Sequence, residues 1–436
     1  MDLIYLTLVT TPAALLLHDT PEGWRLPQFT FATPHFWQDV APLNQAVAAE
    51  FGLDVTTLRC LTIIDDDAAA QARFYYVQAA ADLRPLDAGV EWQALADLAG
   101  LAWAEPEHAR IVAEWQARVQ PERLHSAPWY QPAWATTASA WMTRQLAQHG
   151  YTLISPPEQL RSWGRSTVWR IVTTAGLVYF KAVPPMFAHE VVLTAGYPAW
   201  FAPLIAADLT EHWLLMPAAG EETLADSRDL DQWAAALRQY ARLQIALAPQ
   251  AADLLALGVP DRRLEVLLAG IDALLEPSML AAAGLAPEEI SLLQSRKAAL
   301  EDSARQLMRH AIPASLEHGD FWPGQIVGQS ERFTVIDWSD SSIAHPFFSL
   351  RFFLSSDLPD HPAAYAQLCS AYLEPWTQFA PIKQLQQAFA LAQELAPLHH
   401  ALIYHQHILP QLAERWEMAQ MLPYFLRLLL EDSRPL

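Results

Sequence analysis

The sequence predicts an α+β protein built as a small mixed α/β unit, then a short antiparallel sheet, then a large helical region. Three observations carry this. Strand and helix signals alternate over residues 1–115, three strand-like runs with turns follow residue 150, and beyond Gly220 the pattern is mainly helical.

The chain has 436 residues, enough for two or three folding units at roughly 150 residues each. Apolar residues make up 52% and charged residues 17%, so the chain can fill substantial cores and is not expected to hold long disordered stretches. A net charge of −21 argues against nucleic acid or an anionic membrane as main partner. It would suit a cationic small molecule, although acidity is also a common solubility device. The two cysteines, Cys60 and Cys369, are far apart and form neither a metal pattern nor a disulfide framework, so a cytoplasmic home is expected. The apolar N-terminus carries Asp2 and no basic flank, so it reads better as a buried hairpin than as a signal peptide. No uncharged apolar run reaches the ~20 residues that span a bilayer.

Along the chain, residues 3–9 and 13–18 read as strands joined at Thr11-Pro12. Residues 42–51 read as a helix stopped by Gly52, 74–79 as a strand, and 91–98 and 105–118 as helices. From Gln120 a stretch containing Pro121, Pro128, Trp129, Pro132 and Trp134 reads as an irregular connector, followed by a short helix over 141–150. Residues 159–162, 167–173 and 177–183 read as antiparallel strands, 188–201 as a helix, and 204–208 and 212–216 as two short strands. A late strand pair is expected near 325–327 and 333–336, around Gly328-Gln329-Ser330. The expected domains are 1–118, a linker and lead-in helix at 119–150, a strand-rich lobe at 151–220 and a helical lobe at 221–436.

The sharpest local signal is Glu317-His318-Gly319-Asp320-Phe321-Trp322-Pro323-Gly324-Gln325, followed by Val335-Ile336-Asp337-Trp338. This is a loop with one Asp, then a hairpin, then a second Asp at a strand end. Phosphoryl transfer needs one carboxylate to orient or deprotonate the acceptor hydroxyl and another to hold the metal on the nucleotide phosphates.

At these residues the chain resembles the aminoglycoside phosphotransferase and choline kinase-like family, whose loop reads His-Gly-Asp, four residues, Asn, and whose metal motif reads Ile-Asp-Trp. The resemblance covers about residues 125–436 and implies a protein-kinase-like bilobal fold, with a small antiparallel-sheet lobe and a large helical lobe. It implies an ATP- and Mg2+-dependent phosphotransferase acting on a small-molecule hydroxyl. By it, Asp320 is the catalytic base with His318 beside it, and Asp337 is the metal ligand. Gln325, in place of the family's Asn, is a second ligand that keeps the carbonyl oxygen on a longer arm. Lys181 is implied to grip the phosphates, Glu190 to pair with that lysine, Ser166 to lie in the hairpin turn over the phosphates, and Met216 to meet the adenine. Ser349 stands where the family carries a carboxylate bracing the catalytic loop. With Gln325 and Ser349 both altered, the alternative is a weak or inactive nucleotide-binding sensor.

Trp24-Arg25-Leu26-Pro27 and the helix ending at Gly52 resemble the Nudix fold. The positions of that family's catalytic glutamates hold Trp37, Gln45-Ala46 and Ala49-Glu50. The resemblance therefore implies the fold without the hydrolysis, since one carboxylate cannot assemble the metal cluster. Asp65-Asp66-Asp67 reads as a solvated turn. His399, His400, His405 and His407 lack the zinc spacing with an intervening glutamate and read as core or surface histidines.

Overall fold

The computed structural model describes residues 2–66, 70–83, 89–118, 126–220, 222–329, 332–355 and 361–431. Asp67, residues 121–125 of the connector and Ser330 of the late hairpin lie outside these. The chain divides into two compact units, Met1–Pro184 with Trp213–Pro217, and Pro185–His212 with Ala218–Leu436.

In the first unit a run of Leu, Ile, Val and Thr forms β1 (Asp2–Thr10), buried along its last six residues as befits a strand covered on both faces. It lies between β2 (Ala14–Thr20), antiparallel with Thr10 opposite Leu15, and a strand parallel to it that begins at Gln71. Short β3 (Gly23–Arg25) pairs with β2, and β4 (Gln28–Phe29) pairs with β1. The helix α1 (Ala41–Phe51) ends where Gly52 turns left-handed at φ 64° and donates its N–H to the Ala48 carbonyl. Then come β5 (Val55–Asp66), β6 (Gln71–Ala80), which is the parallel partner of β1, and β7 (Val90–Ala94). The helix α2 (Pro106–Arg118) lays Ile111, Val112 and Trp115 on a core of Leu6, Leu8, Leu15, Leu17, Tyr75 and Val77.

Four departures from the sequence expectation have physical causes. Residues 91–98 are not helical, because β7 pairs antiparallel with β2, Trp92 opposite Leu16, and only Leu98–Gly100 closes a 3-10 turn. Edge pairing and the Val90 and Trp92 side chains outweigh helix propensity. The twelve-residue β5, with its Val, Thr and Ile content, was not anticipated. The helix expected at 141 begins nine residues earlier, since Pro132 sits in the first turn of α3 (Pro132–Gln148), where its missing N–H costs nothing. The helix expected to reach 201 stops as α4 (Ala188–Gly196), two residues before Pro198.

The first unit's second sheet runs β8 (Glu158–Trp163), β9 (Ser166–Thr173) and β10 (Gly176–Ala182). Of the next two strands, β11 (Ala206–Asp208) belongs to the second unit and β12 (Trp213–Pro217) to the first, hydrogen-bonded to β10. One face packs Phe180 and Trp213 against Trp141 of α3, with ring centroids 5.4–6.0 Å apart.

The second unit is built on α5 (Leu230–Leu247) and on the helix Ile382–Ile403, whose residues Leu395 to Ile403 are all buried. Two small ladders sit among the helices. One joins β13 (Ser315–Glu317) to a strand at Ser342–Ala344; the other joins β14 (Ile326–Gln329) to β15 (Arg332–Val335); the strand at Ser342–Ala344 is β16. Among the described residues no helix is long and apolar enough to cross a membrane.

Candidate active site

The second unit holds the acidic candidates. The loop from His318 to Gln325 joins β13 to β14, and the loop from Ile336 to Ser341 joins β15 to β16. Each carries one of the two aspartates. Two bonds tie the loops together and a third braces the first loop internally. The Ile336 N–H donates to the Gln325 carbonyl at 2.9 Å. His318 Nε2 meets the Ile336 carbonyl at 2.9 Å, and its Nδ1 accepts the Asp320 N–H at 3.3 Å. A carbonyl only accepts, so Nε2 carries the proton. Both ring nitrogens of this fully buried residue are thus committed to backbone.

The chain turns sharply at Gly319, φ 81°, where an added Cβ would lie 2.2 Å from the Asp340 carbonyl oxygen. Only glycine fits that close approach. Asp337 is itself left-handed at φ 62°, a conformation that costs a non-glycine residue about 1–3 kcal/mol and that clusters at functional sites. Its Oδ1 accepts the Ser339 hydroxyl at 2.9 Å. The next residue, Trp338, donates its N–H to Glu190 Oε1 on α4 at 3.1 Å. The Trp338 ring lies tilted 4.7 Å from that of His318, so Glu190, Asp337 and His318 share one packed cluster.

The side chains of Asp320 and Asp337 converge on one group. Gln325 Nε2 lies 3.3 Å from Asp320 Oδ2 and 3.4 Å from Asp337 Oδ2. Asp320 is exposed and Asp337 half-buried, so this acidic edge is open to solvent.

Beneath the loop lies a group that the sequence reading did not assign. Glu317 is fully buried; its Oε1 accepts the Gly319 N–H at 3.0 Å and the Ser349 hydroxyl at 2.7 Å, and its Oε2 meets His399 Nε2 at 3.3 Å. Burial pushes its carboxyl up, but the His399 bond, the neighbouring histidines and the Gly319 N–H outweigh burial and hold it down at about 2. Burial pushes His399 down, to about 4. With its proton given to Glu317, Ser349 Oγ accepts the Tyr240 hydroxyl at 2.7 Å, and Tyr240 stacks 3.9 Å from Phe321 of the loop. Glu317 thus brings a buried carboxylate to the Ser349 hydroxyl and the Gly319 N–H. The signal was available as a glutamate in an apolar strand, a residue that is buried only when fully partnered. Of the four C-terminal histidines, His399 and His400 are core residues and His405 and His407 are half-buried; His400 Nε2 also meets the Gly319 carbonyl at 2.9 Å.

The first unit carries the remaining candidates on its second sheet. Lys181 pairs with Val168 on β9 and Leu214 on β12, and Met216 pairs with Tyr179. Directly opposed residues share a face and the strand period is two, so Ser166, Lys181 and Met216 lie on one face. It is the face away from Phe180. Lys181 is 8% exposed. Ser166 Oγ accepts the Trp163 indole N–H at 3.1 Å.

Oxygen donors suit a hard cation such as magnesium, which is commonly held by one or two carboxylates plus substrate phosphates. Among the described residues no cluster of three or more His, Cys, Asp and Glu offers a dedicated cage. Two carboxylates and an invertible amide fit the looser kind of site.

No curated protein matches the sequence. Among solved structures, a GDP and kanamycin complex of APH(2")-IIia is 15% identical, covering 68% of this chain and 98% of that one, TM-score 0.47. A choline/ethanolamine kinase family protein from Mesorhizobium loti is 18% identical, covering 68% and 95%, TM-score 0.45. A macrolide 2'-phosphotransferase type I is 15% identical, covering 67% and 97%, TM-score 0.45. The family model for the phosphotransferase enzyme family, APH, matches residues 186–382. That span contains Glu190, His318, Asp320, Gln325 and Asp337, while Ser166 and Lys181 lie before it. Over residues 186–382 the chain is thus similar to the phosphotransferase enzyme family.

Proposed function

We propose that the chain is an ATP- and Mg2+-dependent phosphotransferase acting on the hydroxyl of a small molecule. The observation that carries this is the convergence of an exposed Asp320 and a left-handed Asp337 on the one Gln325 amide. Two carboxylates facing one amide NH2 make a place that favours positive charge. When bound, magnesium would neutralise charge on the nucleotide phosphates. Asp337 would hold it, and Gln325 would assist once its amide turns to present Oε1.

The chain's own residues supply the rest. Asp320 accepts or orients the proton of the acceptor hydroxyl as the γ-phosphoryl group transfers. His318 fixes Asp320 through the backbone and takes a positioning role. Glu190 fixes the turn at Trp338, and thereby Asp337. Lys181 and Ser166 are assigned to the phosphates and Met216 to the adenine. The acidic composition suits a cationic acceptor. The working domains remain 1–118, read as a non-hydrolytic Nudix-like unit with one helix carboxylate, Glu50, then 119–150, 151–220 and 221–436.

The test is thermal unfolding with and without Mg-ATP. A ligand at 100 times its dissociation constant adds about 2.7 kcal/mol, a shift of several degrees. Wild type is expected to shift and Asp337→Asn is not; asparagine tolerates the left-handed backbone, so that variant removes charge without adding strain. Asp320→Asn is expected to keep nucleotide binding and lose ADP release in the presence of hydroxyl acceptors. Nucleotide binding with no turnover in wild type would favour the sensor, and no shift at millimolar nucleotide would sink both.

A further inference from the structure

We propose that the N-terminal sheet is a built-in brace for the β8–β9 hairpin, and that Trp37 and Asp39 are positioning residues for nucleotide binding. The proposal rests on the assignment of Ser166 and Lys181 to the phosphates.

The outer edge of β8 is not left open. Residues 38–40 run along it as an added strand. The Ser162 N–H donates to the Gln38 carbonyl at 3.0 Å and the Val40 N–H to the Leu160 carbonyl at 2.9 Å, with Asp39 opposite Arg161. Asp39 Oδ1 then accepts from both Nε and Nη2 of Arg161, at 3.0 and 2.9 Å. One residue before Gln38, Trp37 sets its ring edge-on to Trp163, 5.9 Å between centroids. Its carbonyl accepts the Tyr76 hydroxyl of β6 at 3.0 Å, so Trp37 is itself tied to the N-terminal sheet. Trp163 opens the turn to Ser166, donates its indole N–H to that serine, and carries the Arg165 guanidinium 5.4 Å over its ring.

A second set of bonds lies deeper. The Gln159 amide accepts the Thr57 N–H at 2.8 Å and donates to the Thr57 carbonyl at 2.9 Å, imitating a neighbouring peptide. Ser162 Oγ donates to the Leu58 carbonyl at 2.9 Å. The hairpin thus meets the N-terminal sheet at its edge, in its core and at its tip. A two-stranded hairpin tip is mobile by default, and ordering it on binding costs affinity. Here that ordering is done in advance by residues far from the phosphates in sequence.

The experiment uses the full chain with Trp37→Ala and Asp39→Ala combined. Two measurements are made, amide exchange of residues 160–166 without nucleotide and Mg-ATP affinity. The expected result is faster exchange at those amides, about fivefold weaker Mg-ATP binding, and an unchanged acceptor KM. A purely structural role would not produce that split. Trp37→Phe should restore most of the affinity. If the double variant melts below assay temperature, Arg161→Ala removes the same ion pair from the exposed side. Faster exchange with unchanged affinity overturns the brace and leaves the proposed function standing. A wild type that binds no Mg-ATP overturns the proposed function, and the brace with it.

Discussion

A carboxylate with no exposure, such as Glu317, keeps its charge only if each oxygen is met. Gly319, Ser349 and His399 meet it, and Arg262, buried and pushed down to about 10 but still cationic, lies near enough to offset its charge. Glu317→Gln keeps the shape but turns an amide N–H toward a donor. We expect a loss of about 1–3 kcal/mol, read as a fall in denaturation midpoint, together with slower turnover. Ser349→Ala, which removes one of the three bonds, should cost about 1 kcal/mol. Equal effects from the two would mean that Glu317 is an incidental core residue.

At the scale of elements, two glycines show what a left-handed turn demands. Gly52 ends α1 in open space, with nothing within 4 Å of an added Cβ, whereas at Gly319 a backbone oxygen lies at 2.2 Å. Gly52→Ala should therefore cost about 1 kcal/mol and lower Tm by a few degrees. Gly319→Ala should cost several times more, on the order of 4 kcal/mol, because strain and clash add. Circular dichroism melts of the pair settle it. The first glycine was legible from the Ala-rich helix before it, and β1, β2, β9 and β10 were legible from their alternation and turns. What escaped was decided by partners distant in sequence. Residues 91–98 became β7 because β2 presented an edge, and β5 found its place beside β6, with Thr57 and Leu58 bonded to β8. In the candidate site, Asp320, Gln325 and Asp337 were visible as a motif, but the Glu317–Ser349 bond was not, because the two residues are 32 apart and meet only in the fold.

For the whole molecule, three buried histidines set the response to acid. Burial lowers His399 to about 4 and His189 and His345 to about 3. In the unfolded chain each takes its proton near pH 6.5. The unfolded state therefore binds more protons as pH falls from 6.5, and stability drops by up to about 1.4 kcal/mol per pH unit for each histidine until the folded values are reached. Glu317 adds a separate loss between about pH 4.3 and 2, since its folded value is the lower one. Melting temperature should be level above pH 7 and fall steeply from pH 6.5 to 4. A Tm flat down to pH 5 would contradict the buried neutral histidines.

The imitation of a peptide group by Gln159 makes the two sheets specific to each other. Its amide fits Thr57 in one alignment of the two sheets, and a slip by one residue would turn it to the opposite face. A chimera joining this N-terminal sheet to another protein's hairpin would carry a buried N–H and carbonyl at Thr57 with nothing to answer them, and should be less stable than the intact chain. The seam between the two sheets is thus a lock cut for one key.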